Sequence, residues 1–172
     1  YVTGETSYPG SGTAFPLVNG FTVTSGGGGI VFKLNSTGSS ILYSTLLRSG
    51  SSAIGSGIAA DNSGNAYVVG GLSTSSNSMF PLWPTAGTHS NLIGTSANSE
   101  AFIVKIDTTK TGSASLVYAT CYGGNSNENA YGVAVNSAGE AYVTGFTTST
   151  NFAGVDVTAF LKGVEDVYIA KF

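Results

Sequence analysis

One segment of this chain occurs twice in nearly the same form. Gly57-Ile-Ala-Ala-Asp-Asn-Ser-Gly-Asn-Ala-Tyr-Val-Val-Gly70 returns 75 residues later as Gly132-Val-Ala-Val-Asn-Ser-Ala-Gly-Glu-Ala-Tyr-Val-Thr-Gly145. Two sets of shorter segments also align: Ile30-Val-Phe-Lys-Leu34 with Phe102-Ile-Val-Lys-Ile106 and Tyr168-Ile-Ala-Lys-Phe172, and Leu42-Tyr-Ser-Thr-Leu-Leu47 with Val117-Tyr-Ala-Thr-Cys-Tyr122. Self-similarity at a fixed spacing is typical of repeat architectures, so the chain is built from copies of one structural unit.

The residue pattern within the repeat predicts β-strands. Apolar and polar residues alternate with period two, and clusters of Gly, Asn, Ser and Pro separate the alternating segments. We predict four strands in the complete unit: A at about 56–61, B at about 65–71, C at about 100–107 and D at about 115–122. Residues 61–65 form a tight A–B turn, because Asp, Asn and Ser bond their own backbone and Gly64 supplies a positive φ.

The composition agrees with an all-β protein that has a core. The chain has 172 residues, of which 41% are hydrophobic, and this is enough for one domain. Only 9% of the residues are charged, whereas about 25% is usual. The net charge of -3 and the absence of Lys or Arg runs argue against nucleic acid as a partner, and the short apolar runs argue against membrane insertion.

The order of the strands predicts an incomplete set of units. From the first residue the strands run B, C, D, then A, B, C, D, then A, B, C, which makes ten. We divide the single repeat region 1–172 into a partial unit at about 1–54, a complete unit at 55–129 and a partial unit at 130–172. Repeated four-stranded antiparallel units are typical of β-propeller blades, so the predicted fold is all-β with about two and a half blades in an open arc.

An open arc leaves apolar faces and strand edges uncovered at both ends. We therefore expect partners that complete it: either other copies of the chain or further repeats of the same polypeptide. Contacts between unlike ends of separate copies would build a ring or a fibre.

The repeat resembles the bacterial SBBP-type β-propeller repeats. The resemblance is carried by the Gly57–Gly70 and Gly132–Gly145 segments, the Phe-Pro-Leu sequences at 15–17 and 80–82, and the aligned strands around Lys105 and Tyr43. It implies a bacterial protein that is extracellular or at the cell surface. We expect a non-enzymatic structural or adhesive module, part of a larger surface protein or of a self-assembling fibre.

No set of residues in the sequence indicates catalysis, a cofactor or a metal ion. Asp61, Asn62 and Asn65 lack the spacing of a calcium loop, and His89 has no second histidine to share a metal. Cys121 lies in a predicted strand and reads as a small apolar residue. Glu100 and the Glu165-Asp166 pair precede equivalent strands, which indicates a role in the repeat.

One alternative stays open for these carboxylates. Two acidic side chains from different units can converge in space, as glycosidases require, so a fragment of a propeller enzyme remains the third function considered.

Three of the six basic residues recur at one position of the repeat, namely Lys33, Lys105 and Lys171. They are either a row of anion-binding amines or structural side chains whose stems lie along a blade face. We prefer the structural interpretation, because charges at a repeated position are commonly structural and exposed ion pairs add little stability.

Aromatic residues in the long B–C connections are the candidates for ligand contact. They are Tyr8, Phe15, Phe80 and Trp83. Tyr and Trp rings in loops stack on sugars, so a carbohydrate-binding module is the second function considered. The preferred alternative is that the Phe-Pro-Leu segments pin the connection to its blade as a satellite apolar cluster.

Overall fold

In a computed structural model of the chain, the described residues are 1–6, 15–21, 28–47, 53–73, 99–152, 156–159 and 163–172. They form eleven β-strands: β1 Val2–Thr6, β2 Gly28–Leu34, β3 Ile41–Leu47, β4 Ala53–Ala60, β5 Asn65–Ser73, β6 Ser99–Asp107, β7 Leu116–Tyr122, β8 Glu128–Val135, β9 Ala141–Thr147, β10 Asp156–Ala159 and β11 Asp166–Lys171. The helical structure among these residues is a 3₁₀ turn at Gly112–Ser115. Within them, no helix has the length and apolar character needed to cross a membrane.

The strands form three antiparallel sheets, each built from one stretch of sequence. The first sheet has the order β1-β2-β3, the second β4-β5-β6-β7, and the third β10-β11-β9-β8. The four strands of the second sheet are the predicted strands A to D, and they pair in sequence order. The predicted all-β fold of four-stranded antiparallel propeller units is confirmed.

One part of the strand prediction was wrong. We expected ten strands and no fourth strand in the last unit, but the described residues contain eleven. The additional strand is β10, which lies in the B–C connection and pairs with β11 from Asp156 opposite Lys171 to Ala159 opposite Tyr168. It takes the outer place that strand D holds in the other two sheets. This pairing depends on tertiary structure, and the sequence around β10 has no counterpart in the other units.

The sheets stack face to face in chain order, as neighbouring propeller blades do. In the second sheet we name two faces: the forward face, formed by Tyr67, Val69, Ala101 and Ile103, and the rear face, formed by Val68, Phe102, Val104 and Ile106. All of these side chains are fully buried. The rear face packs in one apolar cluster with Val31, Tyr43 and Leu47 of the first sheet. The forward face packs in a second cluster with Ala141, Val143, Tyr168 and Ala170 of the third sheet.

A tyrosine at one repeated position joins each blade to the next. The Tyr67 hydroxyl donates to the Gly139 carbonyl oxygen, 3.1 Å away in the A–B turn of the third unit, and lies 3.2 Å from Asp61 Oδ2 in its own turn. The Tyr1 hydroxyl lies 3.4 Å from the Gly64 carbonyl oxygen, which is the equivalent atom in the second unit. The A–B turns are therefore docking points between blades as well as local turns.

The repeated lysines pair with the same tyrosines. Each ammonium lies over the ring of the tyrosine on strand B: the Nζ-to-centroid distances are 5.3 Å for Lys33 and Tyr1, 4.8 Å for Lys105 and Tyr67, and 5.7 Å for Lys171 and Tyr142. Cations at these distances are attracted to the face of an aromatic ring. This geometry supports the structural interpretation of the lysine row.

We expect Tyr67→Phe to lower the free energy of unfolding by about 1 kcal/mol, because it removes a partly buried hydrogen bond between blades. Urea denaturation followed by circular dichroism would measure this. Tyr142→Phe is the matched control. Its half-exposed hydroxyl is 3.4 Å from Glu140 in its own turn, so its loss is expected to change stability by less than about 0.5 kcal/mol. Equal losses in the two variants would contradict the proposed link.

Candidate binding surface on the third sheet

The third sheet has the same two faces as the second, but its forward face is open. Its rear face is buried against the second sheet, as described above. On the forward face, Ile169 is 57% exposed and Val167 is 70% exposed. The equivalent residues of the second sheet, Ile103 and Ala101, are fully buried. The repeat therefore places apolar side chains on a face that another blade covers in the second sheet.

An apolar groove runs across this open face. It has a volume of about 330 Å³ and is lined by Gly132, Val133, Ala134, Tyr142, Val143, Thr144 and Ile169. The equivalent part of the second sheet receives β8, which packs against β4, β5 and β6. The approach there is close: a Cβ on Gly57 would lie 2.7 Å from the Tyr131 carbonyl oxygen. The groove thus corresponds in position to the place where a following strand A docks.

Two aromatic rings extend the open face beside the groove. Tyr131 stacks on Phe146 with ring centroids 5.8 Å apart, and Tyr131 is 57% exposed. Tyr131 lies at a bulge in β8, where the pairing with β9 shifts between Ala130 and Gly132. A stacked, exposed aromatic pair supplies a large apolar contact area with little loss of side-chain freedom on binding.

The rim of the open face is polar. Lys171 Nζ lies 2.5 Å from Glu140 Oε1. The hydrogen bond from Lys171 lowers the pKa of the Glu140 carboxyl, and the same bond raises the pKa of Lys171. Both side chains are partly exposed, so this pair adds little stability. The pair leaves Tyr142 with its hydroxyl beside Glu140 and its ring at the edge of the groove.

The first sheet has a partly open face of the opposite kind. On its rear side Val2 is 38% exposed, whereas Ser44 and Leu46 of the outer strand are buried. Val68, which the repeat aligns with Val2, is fully buried against the first sheet. The described blades thus expose a forward face at one end of the stack and part of a rear face at the other.

The predicted ligand-contact residues do not form a site in the described part of the chain. Tyr8, Phe80 and Trp83 lie outside the described residues. Phe15 is half-buried, and the segment that follows it lies along β3: the Ser44 hydroxyl donates to the Pro16 carbonyl oxygen, and Val18 and Ser44 pair through their backbones.

The third unit shows how an aromatic residue can hold a B–C connection in place. Phe152 follows β9, and its ring lies 4.9 Å from that of Tyr168 and 6.3 Å from that of Tyr122. This contact supports the pinning interpretation for this unit.

A second cleft, of about 460 Å³, lies between the A–B turns of the second and third units and includes Asp61 and Lys105. The Asp61 carboxylate is occupied by its own turn. It accepts hydrogen bonds from the Ser63 and Asn65 amides, both 2.9 Å long, and from the Asn65 side chain at 2.7 Å. Slight burial opposes these bonds, but their net effect lowers the Asp61 pKa below its ordinary value of 3.8.

In the turn of the third unit an amide takes the place of the Asp61 carboxylate, and the acid of the turn is Glu140 instead. Asn136 Oδ1 accepts from the Ala138 and Glu140 amides, each at 3.0 Å. In both turns the side-chain oxygen of Asp61 or Asn136 accepts hydrogen bonds from the backbone of its own turn, which is an ordinary structural role. Within the described ranges, no group of three or more His, Cys, Asp or Glu side chains is placed to hold a metal ion.

Two buried carboxyl groups do converge, and the sequence did not identify the second of them. Glu100 at the start of β6 and Glu128 at the start of β8 are both fully buried. A Cβ on Gly123 would touch both carboxyl groups, so both groups lie next to Gly123 and close to each other. Glu128 stands where the previous unit has Ala53, so the repeat gave no signal for it.

Glu128 is held by three donors between the second and third blades. The Thr147 hydroxyl donates to Oε1 at 2.6 Å, the Ser149 hydroxyl donates to the same oxygen, and the Gly124 amide donates to Oε2 at 3.0 Å. A fully buried carboxyl that is occupied in this way fixes the connection between β7 and β8, and a substrate cannot reach it.

The single cysteine, Cys121, is also part of the core. It is a free, buried thiol in the cluster between the first and second sheets. Burial raises its pKa, with a smaller contribution from Glu100, so the reactive thiolate is disfavoured. The only histidine, His89, lies outside the described residues.

Comparison with known families agrees with this geometry. The sequence model of the SBBP β-propeller repeat matches residues 42–78. The chain carries an SBBP-type β-propeller repeat. The match includes most of β3 and all of β4 and β5, that is, strand D of one unit and strands A and B of the next. A search of the curated proteins found no match.

Removing the Glu128 carboxyl should destabilise the folded chain. We expect Glu128→Ala to lower the free energy of unfolding by roughly 3 kcal/mol, because three buried donors lose their acceptor. Glu128→Gln keeps an oxygen for the two hydroxyls and should cost less. Glu165→Ala, at an exposed position, is the control, and an equal effect there in thermal unfolding would refute the structural role of Glu128.

Asp61 should contribute stability that depends on pH. Because its folded pKa is lowered, the contribution is present above the ordinary value of 3.8 and is lost as the pH falls through the folded value. Asp61→Asn imitates the Asn136 turn and removes the titration. We expect the variant to be less stable than the original at about pH 7, with the difference disappearing in acid. A difference that is constant with pH in denaturation curves would show this expectation to be wrong.

Proposed function

We propose that this chain is a non-enzymatic structural and adhesive β-propeller module, in which the forward face of the third sheet binds another blade of the same repeat type. The partner blade comes from further repeats of the same polypeptide or from another copy of the chain. The proposal places the module outside the bacterial cell or at its surface, in keeping with the SBBP-type repeat.

The contrast between equivalent residues carries the proposal. Val31 in the first blade and Ile103 in the second occupy one position of the repeat and are fully buried by the blade that follows, whereas Ile169 at the same position of the third blade is mostly exposed. Apolar surface that is contiguous and exposed marks interaction sites. Since the first two forward faces each bind a blade, the third has the chemistry to bind one as well.

The polar contacts favour the same partner. Tyr1 and Tyr67 each reach the carbonyl oxygen of a glycine in the next A–B turn, at 3.4 Å and 3.1 Å. Tyr142 occupies the equivalent position at the edge of the open face. An incoming blade with an A–B turn like that of residues 61–65 brings a carbonyl oxygen to this hydroxyl. The apolar groove alone would not determine the orientation of the partner. A hydrogen bond from Tyr142 to such a turn would fix that orientation.

The buried carboxyl pair supports a structural role. Glu100 and Glu128 are the converging acids in the described residues, and both are fully buried between blades. A general acid or base must reach the atom whose proton it transfers. We therefore include no catalytic step in the proposed function.

A charge on the open face should weaken association of the chain. We expect the 172-residue chain to associate in a concentration-dependent manner, because its exposed forward and rear faces are of the kinds that pair within it. Ile169→Asp should lower the association constant at least about 10-fold, since an unpaired carboxylate would be desolvated at the contact. Size-exclusion chromatography with light scattering measures this directly.

Ser36→Asp is the matched control, because Ser36 is exposed in the C–D turn of the first unit and lies outside the strands of all three sheets. Circular dichroism should show that both variants keep the fold. A monodisperse monomer of 17.3 kDa for the unaltered chain at all concentrations would contradict association between copies.

A further inference from the structure

The residues that strand B places on the forward face differ between the three sheets. In chain order they are Tyr1, Thr3 and Glu5 in the first sheet, Tyr67, Val69 and Gly71 in the second, and Tyr142, Thr144 and Phe146 in the third. The middle residue is threonine in the first and third sheets and valine in the second. The last residue has a long side chain in the first and third sheets and none in the second. Along this strand the open face of the third sheet therefore has the pattern of the first sheet.

In the first interface, Thr3 leaves no room for a side chain on the strand that packs against it. The Thr3 hydroxyl donates to the Ile30 carbonyl oxygen at 2.9 Å, and this bond fixes the position of Thr3 Oγ1. Gly55 of β4 lies next to it: a Cβ on Gly55 would overlap Thr3 Oγ1 and would lie 3.3 Å from the Gly4 amide nitrogen. Extra atoms in a packed contact force the neighbouring atoms to shift, at a cost in stability. The close approach of the two strands therefore requires glycine at position 55.

The second interface has a different pair at the equivalent positions. Ala130 on β8 aligns with Gly55 on β4, because the bulge of each strand begins at that residue. Ala130 is fully buried and belongs to the same apolar cluster as Val69. Val69 has no hydroxyl to be held by strand C, so its side chain can adopt a rotamer that leaves room for the Ala130 methyl group. The strand-B residue thus decides whether the incoming strand A can carry a side chain at this position.

Thr144 on the open face makes the same hydrogen bond as Thr3. Its hydroxyl donates to the Tyr168 carbonyl oxygen at 3.0 Å, and Tyr168 aligns with Ile30 in the repeat. We propose that Thr144 determines the specificity of the open face, which accepts a blade whose strand A has glycine at the Gly55 position and rejects a blade with a side chain there. The inference rests on the proposed function, because it names the kind of blade that this face binds.

Phe146 favours the same partner. In the second interface, a Cβ on Gly71 would lie 2.9 Å from Asn129 Cγ and Oδ1, so the Asn129 side chain occupies the space above Gly71. On the open face, Phe146 fills the corresponding space with its own ring, which stacks on Tyr131. An incoming strand like β8 would therefore collide at two positions, with Thr144 and with Phe146.

The sequence of β4 avoids both collisions. In β4, Ile54 takes the place of Asn129, and this strand packs on a first sheet that has Glu5 at the position of Phe146. The third sheet has the same pattern along strand B, so the blade that fits it is built like the second unit of this chain and not like the third. A stack that follows this rule alternates two kinds of blade.

The rule can be tested first at the first interface, where both residues lie within the chain. Gly55→Ala should lower the melting temperature by at least about 5 °C, because the added methyl group overlaps the Thr3 hydroxyl. Thr3→Val introduces the pair found in the second interface, so the double variant should recover at least half of this loss. Gly4→Ala is the matched control, since a Cβ there meets no atom within 4 Å. A double variant that is no more stable than Gly55→Ala would contradict the rule.

A tandem chain tests the rule at the open face itself. A second copy of residues 35–106 is joined after Phe172, which aligns with Leu34, so the repeat continues in register and the added strand A contains Gly55. Ile169→Cys places a thiol on the open face, and its rate of reaction with a maleimide reports whether a blade covers it. The buried Cys121 is the slow internal reference. We expect the new thiol to react at least about 10-fold more slowly in the tandem chain than in the 172-residue chain.

Gly55→Ala in the added copy alone should restore fast labelling, because Thr144 no longer accepts the strand. Thr144→Val should then slow the labelling again, by about 10-fold. Slow labelling that is unchanged by Gly55→Ala, or fast labelling that Thr144→Val does not slow, would overturn the role of Thr144 and leave the docking of blades intact. A thiol that reacts as fast in every tandem chain as in the single chain would refute the proposed function, and this inference with it.

Discussion

A sheet with two apolar faces is stable in water only when both faces are covered, and every other feature of this chain follows from that requirement. The second sheet meets it with its own neighbours, because the first sheet covers its rear face and the third covers its forward face. In such a stack, stability comes from the interfaces between neighbouring units as much as from the units themselves. The chain therefore organises three blades around one fully covered sheet, and the outer two each keep one face that has the shape and chemistry of an interface.

Apolar contact alone does not fix how two blades are oriented, since it is not directional. Buried phenols supply the direction. Tyr43 of the first blade lies 2.8 Å from the Ser115 hydroxyl of the second, and Tyr122 of the second lies 2.9 Å from the Tyr168 hydroxyl of the third. Burial raises the pKa of Tyr43, Tyr122 and Tyr168, so these groups stay protonated and able to donate. Each interface thus combines an apolar cluster with a hydrogen bond that only one stacking geometry permits.

The features that the sequence predicted are those with a local cause. Strands β5 and β6 could be predicted from alternation, and the A–B turn from Asp61 and Gly64, whose φ is 90°. An uncovered apolar face was predicted at each end of the arc, and the register that Ile103 shares with Ile169 places one of them on the third sheet. The features that it missed depend on contacts between distant segments. Glu128 replaces an alanine of the previous unit, and β10 pairs with a strand that comes later in the chain, so neither has a counterpart in the repeat.

Contacts at the sheet edges also explain why the repeat is long. Units of 66 to 75 residues exceed the roughly 40 to 50 of other propeller repeats, and the excess lies in the B–C connection. In the first unit this connection runs along β3, and in the third it supplies β10 along β11. Exposed sheet edges pair indiscriminately unless they are guarded, and charged side chains are a common guard. A chain with 9% charged residues has few to use, so its own backbone covers the edges instead. That kind of cover keeps chance partners from pairing with the edges.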